Sequence, residues 1–179
     1  MTILRLEPFT EDHAMSEHYY DWLNTPEIVR YLGLPAYLKG VSRSELVSYF
    51  QSLKPQVDYF FAVYHPDFLH FIGTLKLGHY DRNSQRIEIG MLIGEPQCRG
   101  KGLGTELIGL GTEYAFLNLD AHRVQCGVFS SNIASQKCFE RNGYRQEGLL
   151  MDYYRLEDRY ENYILYAILK DEWLGNKAK

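Results

Sequence analysis

The chain has little cysteine: three residues in 179, Cys98, Cys126 and Cys138, an odd and widely spaced set without a Cys-x-x-Cys pair. Such a set excludes a disulfide framework and a paired-thiolate metal or redox site, and it fits a reducing, cytoplasmic setting. No run approaches the roughly 18 uninterrupted apolar residues that a membrane span needs. The opening Met1-Thr2-Ile3-Leu4-Arg5-Leu6-Glu7-Pro8 also lacks the basic-then-apolar pattern of an export signal. Neither export nor a membrane partner is expected. Basic charge is scarce as well: 19 Lys and Arg stand against 23 Asp and Glu, a net charge of −4. That leaves no surplus for a phosphate backbone, so nucleic acid is not an expected partner. His13, His18, His65, His70, His79 and His122 stand at no ligand spacing with a carboxylate or thiol, and no metal is expected.

What is present suffices for a packed core. Hydrophobic residues make up 45% and charged ones 23%, the ordinary globular balance, and the length suits one domain over 1–179. Residues 2 to 6 read as a strand. Thr10-Glu11-Asp12 then opens one helix with Met15, Tyr19 and Trp22 on its apolar side. Pro26 starts a second short helix, and Ser42-Arg43-Ser44-Glu45 has the spacing of a capping box before Leu46, Val47, Phe50 and Leu53. From Tyr59 the pattern turns to β: Tyr59–Tyr64, Phe68–Leu77 and Arg86–Ile93, joined by connections too short for crossover helices, predict an antiparallel meander. A helix from Gly102 to about Leu119, a strand Arg123–Phe129, a helix Asn132–Asn142 and two strands, Tyr144–Tyr153 and Tyr160–Leu169, follow. The Lys170–Lys179 tail reads as polar and fraying at its end. This order implies the α/β class, with a mixed sheet and at least one parallel pair.

The segment with most chemistry is Gln97-Cys98-Arg99-Gly100-Lys101-Gly102-Leu103-Gly104. Glycines at alternate positions before a helix expose backbone N–H groups to an anion, where the helix dipole adds to them. Lys101 is followed by Gly102, not by Ser or Thr, which excludes a Walker loop. Thr105 occupies the third glycine position of a dinucleotide fingerprint. A turn that needs glycine and binds nothing is the plain alternative.

Gln97-x-x-Gly100-x-Gly102, directly after Arg86–Ile93, resembles motif A of the GNAT acetyltransferase superfamily. Asn132-Ile133-Ala134-Ser135-Gln136-Lys137-Cys138-Phe139-Glu140-Arg141-Asn142-Gly143-Tyr144 resembles its motif B. Ile89-Gly90 and Gly148 match too. Glu88-Ile89-Gly90, the Cys138–Tyr144 run and Glu172-Trp173 are most similar to the branch of ribosomal-protein N-terminal acetyltransferases, which also holds aminosugar and small-amine acetyltransferases. The resemblance implies a single mixed, mostly antiparallel sheet of about seven strands covered by helices. It further implies acetyl-CoA as co-substrate and a monomer or homodimer. The implied activity is acetyl transfer to a primary amine, with a peptide or protein α-amine as first choice and an aminosugar or small polyamine as alternatives. No cysteine or serine has a recognisable activating base, so transfer is expected to be direct.

On the matching positions the resemblance implies that Met91, Leu92, Ile93, Gln97, Arg99, Gly100, Lys101, Gly102, Leu103, Gly104, Thr105, Asn132, Ser135 and Phe139 hold the cofactor. Gly90 is read as a bulge that frees strand amides for the carbonyl oxygen. An N-cap is the plain role of Asn132. Phe139 stands where the family often has a tyrosine acid, which leaves Tyr144, Cys138 or water as substitutes. It also leaves open an acyl-CoA-binding module without turnover. Strand alternation sets Glu88 opposite Ile87 and Ile89, so Glu88 is the candidate general base, direct or through water. A solvated carboxylate paired with Arg86 is its alternative. Acceptor candidates are Tyr20, Trp22, Asn24, Tyr31, Tyr37, Tyr153, Tyr154 and Glu157, for each of which core or surface packing is the simpler role.

Overall fold

A computed structural model describes residues 3–32, 39–156 and 159–177. The strands are β1 (Arg5–Pro8), β2 (Tyr59–Tyr64), β3 (Gly73–Asp81), β4 (Arg86–Ile93), β5 (Arg123–Phe129), β6 (Arg145–Leu156) and β7 (Arg159–Leu169). They form one sheet in the order β1-β2-β3-β4-β5-β7-β6. All neighbouring pairs are antiparallel except β4 with β5. This is the mixed, mostly antiparallel sheet that the sequence predicts. The third strand starts at Gly73 and not at Phe68, because Phe68 closes a turn onto the His65 carbonyl.

The first helical stretch is divided into α1 (Glu11–Met15) and α2 (Glu17–Leu23). Ser16 causes the break: its hydroxyl donates to the His13 carbonyl at 2.9 Å and accepts from the Tyr19 amide at 3.2 Å. A side chain that ends one helix and caps the next outcompetes helix continuation. Met15, on the predicted apolar side, is consequently exposed, while Tyr19 and Trp22 are buried. The short α3 (Pro26–Val29) follows, then α4 (Arg43–Ser52), which has the predicted capping box: Ser42 N–H donates to Glu45 at 2.7 Å, and Glu45 N–H returns to the Ser42 hydroxyl.

α5 (Leu103–Leu117) and α6 (Ile133–Arg141) follow the glycine loop and β5 respectively. The tail forms a further helix, α7 (Lys170–Lys177), because Trp173 is buried against Phe116 with ring centroids 5.3 Å apart. One apolar face outweighs the polar composition read from the tail. Two cores result. Ile87, Ile89, Val124 and Val128 meet Leu103, Leu107 and Phe116 on one face of the sheet, and Ala62, Phe71 and Leu92 meet α1–α4 on the other.

At Gly94, just past β4, a Cβ would lie 2.0 Å from the Trp22 ring, which is itself seated on Phe71 at 5.1 Å. Gly94→Ala is therefore expected to destabilise the fold by about 2–3 kcal/mol, an overpacking cost. The midpoint of thermal denaturation should fall by roughly 5–10 °C. An unchanged midpoint would show that the indole can move aside freely.

Candidate active site

The parallel pair is short. β4 and β5 are in register only at Arg86↔Arg123, Ile87↔Val124 and Glu88↔Gln125. Beyond Glu88 the strands part, because β5 stays paired with β7 as far as Phe129↔Tyr163. The pairing of β4 with β3 continues without a shift from Glu88 to Ile93. Gly90 is thus no bulge against β3; the register shift in that pair lies between Gly78 and Asp81. The amides are freed by the parting of β5 instead. Gly94 N–H donates to the Ile72 carbonyl at 2.9 Å, which fixes the phase of the ladder. Alternation then turns Gly90 and Leu92 towards β3, and Met91 and Ile93 towards the gap.

The gap opens into a cleft of about 820 Å³ that reaches both faces of the sheet. On the helix side it meets the glycine loop and the start of α5. Gly100 has φ +72° and Gly102 φ +83°, and a Cβ on either would meet nothing within 4 Å. Glycine is required there by backbone conformation, and the space beside it is open. Gly102 is also the N-cap: its carbonyl accepts from Thr105 and Glu106, so the amides of Leu103 and Gly104 have no role in the first helical hydrogen bonds. At Gly104 a Cβ would lie 3.1 Å from Cys138 Sγ and 3.2 Å from Met91 Cε. That glycine allows the close approach of α5, α6 and β4. A backbone cradle with an adjoining empty space is what a pyrophosphate and its pantetheine arm need, so these residues fit acetyl-CoA.

Of the predicted cofactor residues, Met91, Leu92, Ile93, Arg99, Gly100, Gly102, Leu103, Gly104, Thr105, Asn132, Ser135 and Phe139 line the cleft. Gln97 and Lys101 are exposed and not among its walls. Arg99 is partly committed, donating from Nε to the Ile93 carbonyl at 3.2 Å and from a terminal nitrogen to the Gly94 carbonyl at 3.1 Å. Asn132 caps α6, its side chain accepting from Ser135 N–H at 3.2 Å. Lys137 and Arg141, which the sequence reading passed over, also line the cleft. Their i, i+4 spacing on the helix within motif B was the available signal. Tyr144 cannot serve as a proton donor to this space: it is buried, its hydroxyl lies 2.7 Å from that of Thr112, and burial pushes its pKa far up.

Glu88 lines the opposite half of the cleft, with Glu27, Tyr31, Tyr49, Lys76, Phe129 and Tyr163. It is not paired with Arg86, which pairs with Asp81 at 3.4 Å. Instead Glu88 accepts from Gln125 Nε2 at 3.3 Å. Lys76 is held by the Tyr49 hydroxyl at 2.8 Å and by Asp58 at 3.6 Å. A Cβ on Gly127 would lie 2.0 Å from the Tyr163 ring, so a glycine on β5 admits that aromatic wall. Burial pushes the Tyr163 hydroxyl well up, and the neighbouring Tyr154 and the Glu88 charge add to it. A neutral tyrosine beside a carboxylate suits a cationic guest.

The acceptor candidates separate. Tyr31 lines the cleft. Tyr154 lies behind it, 4.9 Å from Phe129 and 5.0 Å from Tyr163 between ring centroids. Trp22 fills the core against Gly94, and Asn24 bridges the chain, donating to the Tyr20 and Val41 carbonyls and accepting from Val41 N–H. Tyr20 lies under the Arg43 guanidinium at 4.4 Å, and Tyr153 is exposed, stacked on the outer side of Tyr163 at 5.6 Å. None of these four is a wall of the cleft. Tyr37 and Glu157 lie outside the described residues. Among the described residues no group of three or more His, Cys, Asp or Glu is placed to hold a metal, and no helix is long and apolar enough to cross a membrane.

A sheet split at its one parallel pair, with a glycine cradle at the mouth of the split, defines a class of acyl-CoA-dependent transferases. The acetyltransferase (GNAT) domain family matches residues 4–145, and the chain belongs to that family. It is similar to the uncharacterized N-acetyltransferase p20 of Bacillus licheniformis, 26% identical over 152 residues covering 84% of each chain. The [ribosomal protein uS5]-alanine N-acetyltransferase of Escherichia coli is 25% identical over 116 residues, 64% of this chain and 59% of that one. In fold it is similar to spermidine N-acetyltransferase from Vibrio cholerae, solved in complex with CoA and spermine. The TM-score is 0.87, with 22% identity, 97% of this chain and 99% of that one covered. The protein is an N-acetyltransferase that uses acetyl-CoA, and the module without turnover gives way to an enzyme.

Proposed function

We propose that the enzyme acetylates a primary amine directly, with Glu88 as general base. The observation that carries this is the parting of β4 from β5 immediately after Glu88, which sets a carboxylate at the inner end of a cleft open to both faces. Bound acetyl-CoA supplies a reactive thioester. The loop amides of Gly100 to Gly104, with Lys137 and Arg141, hold its phosphates, and Asn132 and Ser135 orient its arm. Glu88 takes a proton from the acceptor ammonium, directly or through one water. The amides of Met91 and Ile93 stabilise the carbonyl oxygen as it gains charge, and being fixed in a strand they do so without reorganising. No dedicated acid is needed at Phe139, since a thiol, far more acidic than an alcohol, leaves readily as the anion.

As acceptor we favour the α-amine of a peptide or protein, supported by the sequence similarity to the uS5-alanine enzyme. A polyamine is the second reading, supported by the fold neighbour solved with spermine and by Glu27 and Glu88 on the acceptor wall. Saturating acetyl-CoA, at 100 times its Kd, should add about 2.7 kcal/mol and raise the thermal midpoint by roughly 5–10 °C, with NAD and ATP as inert controls. CoA release with an alanine-starting peptide, spermidine and glucosamine then ranks the acceptors. Inactivity with the peptide beside turnover of spermidine would reverse our order.

A further inference from the structure

We infer that Gln125 and Arg123 form a positioning relay that holds Glu88 in its working orientation, a role that rests on Glu88 being the base. Glu88 and Gln125 are the last registered pair before β4 and β5 part. Beyond them the backbone ladder between the two strands ends, so side chains take over the task of fixing Glu88. Arg123 Nε donates to Gln125 Oε1 at 2.9 Å. A guanidinium can only donate, so it selects the amide oxygen and leaves the NH₂ group of Gln125 facing Glu88, where Nε2 donates to Oε1 at 3.3 Å. The opposite flip would set two acceptors against each other. Arg123 is itself locked by a bidentate pair with Glu147, one arm 2.9 Å long.

The fold builds this pair deliberately. The register of β6 against β7 shifts between Gln146 and Gly148, which leaves Glu147 as the extra residue of a bulge. Bulges re-aim side chains, and here the re-aimed carboxylate anchors Arg123. The Arg123 hydrogen bonds hold Glu147 below the usual carboxylate range. Other charged and titratable groups face the same space. Lys76 is tied to Asp58 and Tyr49, and His79 lies 3.7 Å from Asp58. Arg86 is tied to Asp81, and Tyr154, Tyr163 and Cys126 have their pKa values raised first by burial and then, in part, by Glu88. Among the described residues Gln125 is the hydrogen-bond partner of Glu88.

The test compares Glu88→Gln, Gln125→Met, Gln125→Glu and the double variant Glu88→Gln/Gln125→Met, using CoA release from acetyl-CoA with spermidine and with an alanine-starting peptide. Gln125→Met should lower kcat by about tenfold and leave the acetyl-CoA KM within about twofold, as expected when one charge-assisted hydrogen bond to the base is lost. Gln125→Glu keeps the bond to Arg123 but sets a second carboxylate against Glu88. It should move the acidic limb of the kcat/KM profile to higher pH, since like charges disfavour ionisation. In the Glu88→Gln background, Gln125→Met should cost little more, because the two act through one group. If Glu88→Gln loses activity while Gln125→Met leaves kcat unchanged, the relay is wrong and the base stands. An undiminished drop from Gln125→Met in the double variant would mean a merely structural role and would also overturn the relay. Full activity of Glu88→Gln removes the base and the relay together.

Discussion

Glu88→Gln is expected to lower kcat/KM by about 10²- to 10³-fold, the usual worth of a positioned general base. The substitution keeps size and shape and leaves an amide that cannot take a proton from an ammonium. Glu88 is exposed to the cleft and outside both cores, so stability should be nearly unchanged. It lies across the split sheet from the glycine cradle, so the affinity for acetyl-CoA should also hold. The diagnostic signature is a loss in kcat whose size shrinks at high pH, where the free amine supplies its own lone pair. A kcat/KM equal to that of the parent across the whole pH range would falsify the assignment.

Gly102→Val is expected to weaken acetyl-CoA binding by about 10- to 100-fold. At φ +83° a β-branched residue is strained by at least ~1–2 kcal/mol. The chain can escape only by rotating the peptide that aims the loop amides. Each amide lost from a charged phosphate is worth a further ~1.5–3 kcal/mol. Nothing lies within 4 Å of the added Cβ, so no steric clash contributes, and the apo thermal midpoint should fall by only a few degrees. Isothermal titration with acetyl-CoA, beside thermal denaturation of the unliganded protein, separates the two effects. Unchanged affinity with a lowered midpoint would mean that the loop shape serves the fold and not the ligand.

Much of this protein is readable along the chain because the relevant physics is local. An aromatic and β-branched run marked β2, alternation marked the faces of β4, helical spacing marked α5, and Ser42 with Glu45 three residues on announced the start of α4. Alternate glycines before a helix mark a loop of positive φ because that conformation is a property of the residue itself. The misses have local causes too weak to see without neighbours. Ser16 is an ordinary helix-surface residue until its hydroxyl turns on the backbone. The Lys170–Lys177 segment is polar in sum, and the seat that Phe116 offers Trp173 supports it as a helix.

The candidate site divides in the same way. The sequence by itself determined the sheet and helix order, the cradle of Gly100 and Gly102, the face on which Glu88 stands and the family to which the motifs belong. Tertiary structure alone decided that β5 follows β7 and leaves β4, since pairing partners are chosen by strands more than 30 residues apart in the chain. That single choice frees the amides of Met91 and Ile93, opens the cleft, and removes any need for a bulge at Gly90. It also sorted the aromatic residues. Trp22 and Tyr31 look alike as sequence, but Gly94 draws one into the core while the other faces the cleft. Burial of an aromatic ring is rewarded wherever a complementary surface lies, and that surface exists only once the chain has folded.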